Sequence, residues 1–266
     1  MNKSVNRIDQ CFFTLKQRGQ KALLAFVTAG DPNLEKSAEF AISLCQAGID
    51  ILELGIPFSD PMADGPVIQR SSQRALGSGM TLLKTFELVK MIRKKSNIPI
   101  ILMGYFNPIL AMGLQKFCKD LKEVGADGVL VVDLPFEESG DFQTQLKKND
   151  LHQIFLLSPT STPKRIDNVC KIASGFLYFI SIEGTTGGKL ANIPEIKKPL
   201  EIIQGNTQLP VVIGFGIRNS KQAKDLASIS DGVVIGSALI ENLEGVDFKE
   251  GKEKAIRFIQ EIKKGS

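Results

Sequence analysis

Eight short runs of apolar and β-branched residues are spaced along the chain, and helical patterns separate them. The runs predict strands at Leu23–Thr28, Asp50–Leu54, Ile98–Met103, Gly128–Asp133, Gln153–Leu157, Phe176–Ser181, Pro210–Gly214 and Gly232–Gly236. Between them apolar residues recur at three- and four-residue spacing, as at Leu82, Phe86 and Val89, which is the period of a helix with one buried face. Such an alternation predicts parallel strands joined by right-handed helical crossovers.

Closure of these strands into a barrel is the simplest arrangement. An open doubly wound sheet is the alternative, but its G-x-G-x-x-G turn is missing, because the first strand runs into FVTAGDPN. No linker rich in Ser, Pro or charge divides the chain. We therefore predict one (β/α)8 TIM barrel domain over residues 1–266, with an extra amphipathic helix at the N-terminus and a short helix after the eighth strand.

The composition excludes several classes of protein. No stretch approaches the roughly 18 to 20 apolar residues of a membrane span, and the N-terminus is too polar for a secretion signal. The net charge is only +4 and the lysines are scattered, which argues against a nucleic-acid partner. The four cysteines lack the spacing of a metal site or disulfide scaffold, which favours buried thiols in a reducing cytoplasm. Because His152 is the only histidine, we expect no histidine metal cluster, and acid/base chemistry falls to carboxylates.

Active sites of such barrels lie at the carboxyl ends of the strands. The chemically interesting residues expected at this rim are Thr28, Gly30, Asp31, Glu53, Tyr105, Asn107, Asp133, Ser158, Tyr178, Gly214 to Gly216, Gly236 and Ser237. Each of them alone has a capping or packing explanation. Their coincidence at one rim favours a functional site.

Glu53 interrupts an apolar strand and is predicted to point into the mouth of the barrel. A carboxyl group among apolar side chains has a raised pKa and carries a proton at neutral pH, which suits an acid/base catalyst. Asp64, in the following loop, offers a second carboxylate that partial solvation would keep ionised. Asp60 and Asp31 compete with Asp64 for this role, and each also has a turn or capping explanation.

Glycines after the last strands indicate a phosphate site. VIGFGIRN and VVIGSALI each end a strand with glycines that let backbone N–H groups approach a ligand, and the second passes into the short helix. The segment EGTTGGKL at 183–190 adds donors and enough glycine to move as a lid. The alternative is that these glycines only form tight turns.

Six segments together resemble the alpha subunit of tryptophan synthase: ELGIPFSDPMADGP, FVTAGDP, MGYFNP, DLPFEES, GFGIRN and IGSALI. The resemblance extends from the first helix to the last. It implies retro-aldol cleavage of indole-3-glycerol phosphate to indole and glyceraldehyde 3-phosphate, without a cofactor in this chain. It further implies that Glu53 shuttles a proton to the indole ring carbon and assists at the glycerol hydroxyl. Asp64 would hold the indole N–H and stabilise the positive charge that develops there.

The same resemblance implies the binding residues. The indole pocket would be lined by Phe26, Tyr105, Leu130, Ile154, Tyr178 and Phe215, and the phosphate would be held by Gly187, Gly216, Gly236 and Ser237. Thr186 would belong to a closing lid that orders Asp64. The lid departs from the family pattern, since Thr185 stands where the family usually has Val, and Glu183 adds a negative charge near the incoming phosphate.

The resemblance also implies a partner, a pyridoxal-phosphate beta subunit that receives indole through a tunnel in an alpha2-beta2 heterotetramer. Segments near Asp60-Pro61, Asn107-Pro108 and Pro135 would meet it. Two other functions remain open at this point: an allosteric activator of the beta subunit with weak cleavage activity, and another phosphate-handling barrel isomerase or synthase. The intact pair of carboxylates argues against the first, and the Asp64 loop argues against the second.

Overall fold

The strands form a closed parallel barrel in a computed structural model that describes residues 5–180, 193–214 and 216–264. Each strand pairs with the next along the chain, and β8 returns to β1 with Ala22 opposite Gly232. The strands are β1 (Ala22–Thr28), β2 (Ile51–Gly55), β3 (Ile100–Gly104), β4 (Gly128–Val131), β5 (His152–Leu157), β6 (Leu177–Ile180), β7 (Val211–Gly214) and β8 (Gly232–Ile235). The predicted barrel is confirmed, and each predicted strand overlaps an observed one.

Helices surround the barrel and extend it at both ends of the chain. Their bounds are α1 (Arg7–Gln17), α2 (Leu34–Ala47), α3 (Pro66–Gly77), α4 (Leu82–Arg93), α5 (Phe106–Met112), α6 (Leu114–Glu123), α7 (Gly140–Lys148), α8 (Pro163–Ile172), α9 (Ile193–Gly205), α10 (Ser220–Ala227), α11 (Ser237–Glu241) and α12 (Phe248–Lys264). The predicted N-terminal helix is α1, and the predicted short helix after the eighth strand is α11. Across the described ranges, none of these helices has both the length and the apolar character needed to cross a bilayer.

Local sequence explains where α2 begins and ends. The Asn33 side chain accepts a hydrogen bond from the Lys36 N–H at 2.9 Å, which satisfies a free donor of the first turn. At the other end Gly48 adopts a left-handed conformation with φ of 106°, which glycine tolerates without strain. The Gln46-Ala47-Gly48 segment thus stops the helix just before β2.

Strand side chains alternate between two apolar layers. Inward residues such as Leu24, Phe26 and Ile101 form one buried cluster inside the barrel, while outward residues such as Leu23 and Ala25 pack against the surrounding helices. Because successive side chains of a strand point to opposite faces, the position of Glu53 two residues after inward-facing Ile51 places it inside the barrel.

Helix α1 covers the amino-terminal end of the barrel. Its Ile8, Phe12 and Leu15 side chains are buried in the same cluster as the inward strand residues. The Phe12 ring lies 5.5 Å from that of Phe176, measured between centroids. Arg7 anchors the helix by donating to the Asp127 carboxylate at 2.8 Å. The carboxyl rim at the other end is left to form a binding site.

Candidate active site

Glu53 is a buried carboxyl group without a hydrogen-bond partner. It lies in β2, in register with Phe26 of β1 and Ile101 of β3. Its exposed fraction is 0%, and neither carboxyl oxygen has a partner within the described residues. Removal from water disfavours the charged form and raises the pKa of Glu53 from its ordinary value of 4.5 to about 8. The group therefore holds a proton at neutral pH, as its place in the strand predicts.

Asp64 is held by a tyrosine from the neighbouring strand end. In the loop between β2 and α3, its Oδ2 accepts a hydrogen bond from the Tyr105 hydroxyl at 3.0 Å. The Ala63 N–H donates to that same hydroxyl at 2.9 Å, and Gln69 Nε2 donates to the Asp64 carbonyl at 2.8 Å. Burial raises the pKa of Asp64, while the bond from Tyr105 opposes this rise. The sequence predicted that partial solvation keeps Asp64 ionised, but burial is the larger effect and raises its pKa, and the group that favours the charged form is the Tyr105 hydroxyl.

A small cleft at the carboxyl rim is formed around Asp64 and Tyr105. It is lined in part by Phe26, Thr28, Asp64, Tyr105 and Val132. The Phe58 ring stacks on the Tyr105 ring, with centroids 5.0 Å apart and planes inclined by 25°. The Thr28 hydroxyl oxygen is buried and has no hydrogen-bond partner in the described parts of the chain, so it is available to a ligand.

The apolar wall continues inside the barrel. Leu130, Ile154 and Tyr178 are buried in one cluster with Phe26. Burial raises the pKa of Tyr178 well above its ordinary value, and the charge of nearby Glu53 adds to this rise. Four of the predicted indole-lining side chains therefore share one apolar environment, while Tyr105 lies at the cleft beside Asp64.

Two strand-end glycines make room for the aromatic rings of this wall. A Cβ atom at Gly214 would lie 2.1 Å from Cε1 of Tyr178, and one at Gly55 would lie 2.6 Å from Cζ of Phe26. Any larger residue would displace these rings. The sequence suggested that Gly214 exposes backbone to a ligand, whereas the structure shows that it accommodates Tyr178.

The start of α11 lies beside the apolar wall. Gly236 precedes the helix and Ser237 is its first residue, and no side chain from the described ranges caps its first turn. A Cβ atom at Gly236 would lie 3.3 Å from the Phe26 ring. Gly216, after β7, is exposed. An uncapped helix start with free N–H groups favours an anion, so this edge suits a phosphate.

The two alternatives to Asp64 have other partners. Asp31 is buried and accepts hydrogen bonds from Arg74 at 2.7 and 2.8 Å and from Ser71. Asp60 is exposed and accepts one from the adjacent Ser59 hydroxyl. Asp31 is thus engaged in a structural ion pair and Asp60 in a local turn, whereas Asp64 lines the cleft.

Comparison with known proteins agrees with this geometry. The family model described as tryptophan synthase alpha chain matches residues 12–265. The chain belongs to the tryptophan synthase alpha chain family. The alpha chain of Geotalea daltonii is 47% identical over 261 residues, covering 98% of this chain and 99% of that relative. That of Citrifermentans bemidjiense is 46% identical over 261 residues, with 98% of each chain covered.

Solved structures of tryptophan synthases share the whole fold. Subunit alpha from Legionella pneumophila superposes with a TM-score of 0.92 at 36% identity, and 98% of each chain is covered. A tryptophan synthase structure from Mycobacterium tuberculosis gives a TM-score of 0.91 at 30% identity, again with 98% of each chain covered. As a member of the tryptophan synthase alpha chain family, the chain is a lyase of tryptophan biosynthesis with a TIM barrel fold.

Some residues predicted for this alpha-chain site cannot be placed. Thr186 and Gly187 of the lid, its departures Glu183 and Thr185, and Phe215 of the indole pocket lie outside the described residues. Two rim residues in the described ranges serve other purposes. The Asp133 carboxylate accepts from the Phe106 N–H at 2.7 Å. The Ser158 hydroxyl lies 2.9 Å from that of Thr160.

Proposed function

We propose that this chain cleaves indole-3-glycerol phosphate to indole and glyceraldehyde 3-phosphate, with Glu53 and Asp64 as its catalytic residues. The observation that supports this most strongly is the Glu53 carboxyl group, which is fully buried, has no partner in the described residues and has a pKa raised to about 8. Such a group supplies a proton at neutral pH. The proposed substrate, indole-3-glycerol phosphate, is inferred from membership in the alpha chain family.

The reaction needs one proton to be delivered and another to be removed. Protonated Glu53 gives its proton to the indole ring carbon that carries the glycerol chain. Asp64 accepts a hydrogen bond from the indole N–H and stabilises the positive charge that forms on the ring. The carbon–carbon bond then breaks as the glycerol hydroxyl loses its proton to the Glu53 carboxylate. Indole leaves with the bonding electrons, the hydroxyl carbon becomes the aldehyde, and Glu53 regains its proton.

Substrate binding is divided between the two sides of the rim. Phe26, Tyr105, Leu130, Ile154 and Tyr178 hold the indole ring, together with Phe215 and with Thr186 of the lid. Gly216, Gly236 and Ser237 bind the phosphate, together with Gly187. Two observations support this division: the described aromatic and aliphatic members are buried, Tyr105 at the cleft and the others inside the barrel, and within the described residues no side chain caps the start of α11.

The partner we propose is a pyridoxal-phosphate beta subunit in an alpha2-beta2 tetramer, with no cofactor bound by this chain and a cytoplasmic location. The segments expected to meet it present exposed apolar side chains. Met62, beside Asp60-Pro61, is 84% exposed, and Leu110, beside Asn107-Pro108, is 55% exposed. Large exposed apolar residues around one rim are typical of a protein contact.

The test is indole release by the purified chain from indole-3-glycerol phosphate, with and without a beta subunit. Glu53→Gln should abolish release while substrate binding, measured by calorimetry, stays close to that of the wild type. Glu253→Gln, at an exposed position of α12, is the matched control and should retain full activity. Wild-type turnover in Glu53→Gln would refute its assigned role. Full stimulation of a beta subunit by a chain that barely cleaves would instead favour the allosteric activator.

A further inference from the structure

Four charged side chains form one network beside the carboxyl rim. Arg74 donates from Nε and Nη2 to the two carboxylate oxygens of Asp31, at 2.8 and 2.7 Å. Its Nη1 donates to Oε1 of Glu244 at 2.9 Å. Arg70 completes the network with two further bonds to Glu244, at 3.1 and 2.7 Å. Paired guanidinium–carboxylate contacts of this kind fix geometry as well as adding energy.

The network joins three segments that carry parts of the proposed site. Asp31 lies in the loop after β1, three residues after Thr28 of the cleft. Arg70 and Arg74 lie on α3, which begins two residues after Asp64. Glu244 lies in the turn after α11, where its N–H donates to the Glu241 carbonyl at 3.1 Å. Side chains of this network therefore connect α3, which follows the Asp64 loop, to the turn after α11.

Helix α11 depends on such contacts for its position. It has only five residues, too few for a stable helix on its own. Its own Leu239 and Ile240 side chains are buried, and Arg218 lies 3.4 Å from Glu241 in an exposed ion pair. The Glu244 carboxylate holds this end of the helix more firmly than the Arg218–Glu241 pair does. Its exposed fraction is 23%, and it accepts three hydrogen bonds from two arginines. The Arg70 hydrogen bond contributes most to lowering the pKa of Glu244, so this carboxylate stays charged at neutral pH.

We propose that Glu244 is a positioning residue that, through Arg70 and Arg74, sets the distance between the phosphate-binding start of α11 and the Asp64 loop. This inference rests on the proposed function. Glu244 is not among the residues proposed to bind the substrate. Contacts to the phosphate are made alike in the bound substrate and in the transition state, because the phosphate takes no part in the bond cleavage. Their loss therefore raises KM and leaves kcat nearly unchanged.

The experiment compares Glu244→Ala with the wild type in steady-state cleavage of indole-3-glycerol phosphate. We expect KM to rise about tenfold and kcat to stay within about twofold, because the lost phosphate contacts stabilise the bound substrate and the transition state equally. Inhibition by glyceraldehyde 3-phosphate should weaken by a similar factor, whereas inhibition by indole, which has no phosphate, should be unchanged. Glu244→Gln keeps an acceptor oxygen for the arginines and should regain most of the affinity.

Glu39→Ala is the matched control. It removes a glutamate that forms an ion pair with Lys252 between α2 and α12, does not belong to the network, and should leave KM and both inhibition constants as in the wild type. A merely destabilised Glu244 variant would have fewer active molecules, so its apparent kcat would fall while KM stayed constant. A lower kcat at constant KM would overturn the inference. Unchanged or tighter binding of glyceraldehyde 3-phosphate would do so too, as would equal weakening of inhibition by glyceraldehyde 3-phosphate and by indole. Lack of cleavage by the wild type would instead overturn the proposed function.

Discussion

Replacing Glu53 by glutamine should stabilise the protein increasingly as the pH rises. The buried carboxyl group has a pKa of about 8 in the folded chain against an ordinary value of 4.5. Between these two values the native state holds a proton that the unfolded state has released. The free energy of unfolding of the wild type therefore falls as the pH rises through this window, and the contribution of the neutral group is lost above pH 8.

The size of the effect follows from the displacement of the pKa. One pKa unit corresponds to about 1.4 kcal/mol, so Glu53 should lower the free energy of unfolding by about 3.5 kcal/mol between pH 5 and pH 8. Glutamine has nearly the same shape and does not titrate, so the free energy of unfolding of the variant does not decrease in this way. The difference in stability between the variant and the wild type should grow by that amount over the same range.

Urea unfolding followed by circular dichroism at pH 5, 6, 7 and 8 measures this difference. Glu253→Gln makes the same chemical change at an exposed position of α12 and reports the effect of an amide outside the core. A stability difference for Glu53→Gln that stays constant from pH 5 to pH 8 would refute the reasoning. It would mean that the Glu53 carboxyl group is hydrated or paired in the folded protein.

Three predictions concern catalysis. The kcat/KM for indole-3-glycerol phosphate should fall as the pH rises through about 8, because Glu53 loses the proton that it must donate; a profile that is level to pH 9 would contradict this. Gly236→Val should chiefly raise KM, because the new side chain obstructs the phosphate and begins 3.3 Å from the Phe26 ring, and an unchanged KM would count against this phosphate edge. Tyr105→Phe removes the hydroxyl that donates to Asp64 at 3.0 Å, and should lower kcat about tenfold with little loss of stability. Steady-state rates with a circular dichroism control would test it, and wild-type kcat would exclude a catalytic need for that bond.

The barrel could be predicted because its signals are local. Each strand is an apolar run, and each run is separated from the next by turn or helix residues. The boundaries were less certain. The third strand was predicted from Ile98 but begins at Ile100, directly after Pro99, which has no N–H to donate to the sheet.

Part of the site followed from the same local patterns. Alternation along β2 is sufficient to place Glu53 inside the barrel, and burial then raises its pKa. The bond from Tyr105 to Asp64 and the contact of Arg74 with Glu244 join residues that lie 41 and 170 positions apart in sequence. Local sequence patterns cannot predict such contacts, because the two residues of each pair come together only when the barrel closes.

Helix α1, which covers the amino-terminal end of the barrel, also limits where a reaction product can leave. Its Ile8, Phe12 and Leu15 side chains pack against the inward strand residues and cover that end of the barrel. On the proposed function, indole formed inside the barrel would leave through the carboxyl rim, where its precursor entered. Whatever sits over that opening thus decides whether the released molecule diffuses into bulk water or is handed on directly.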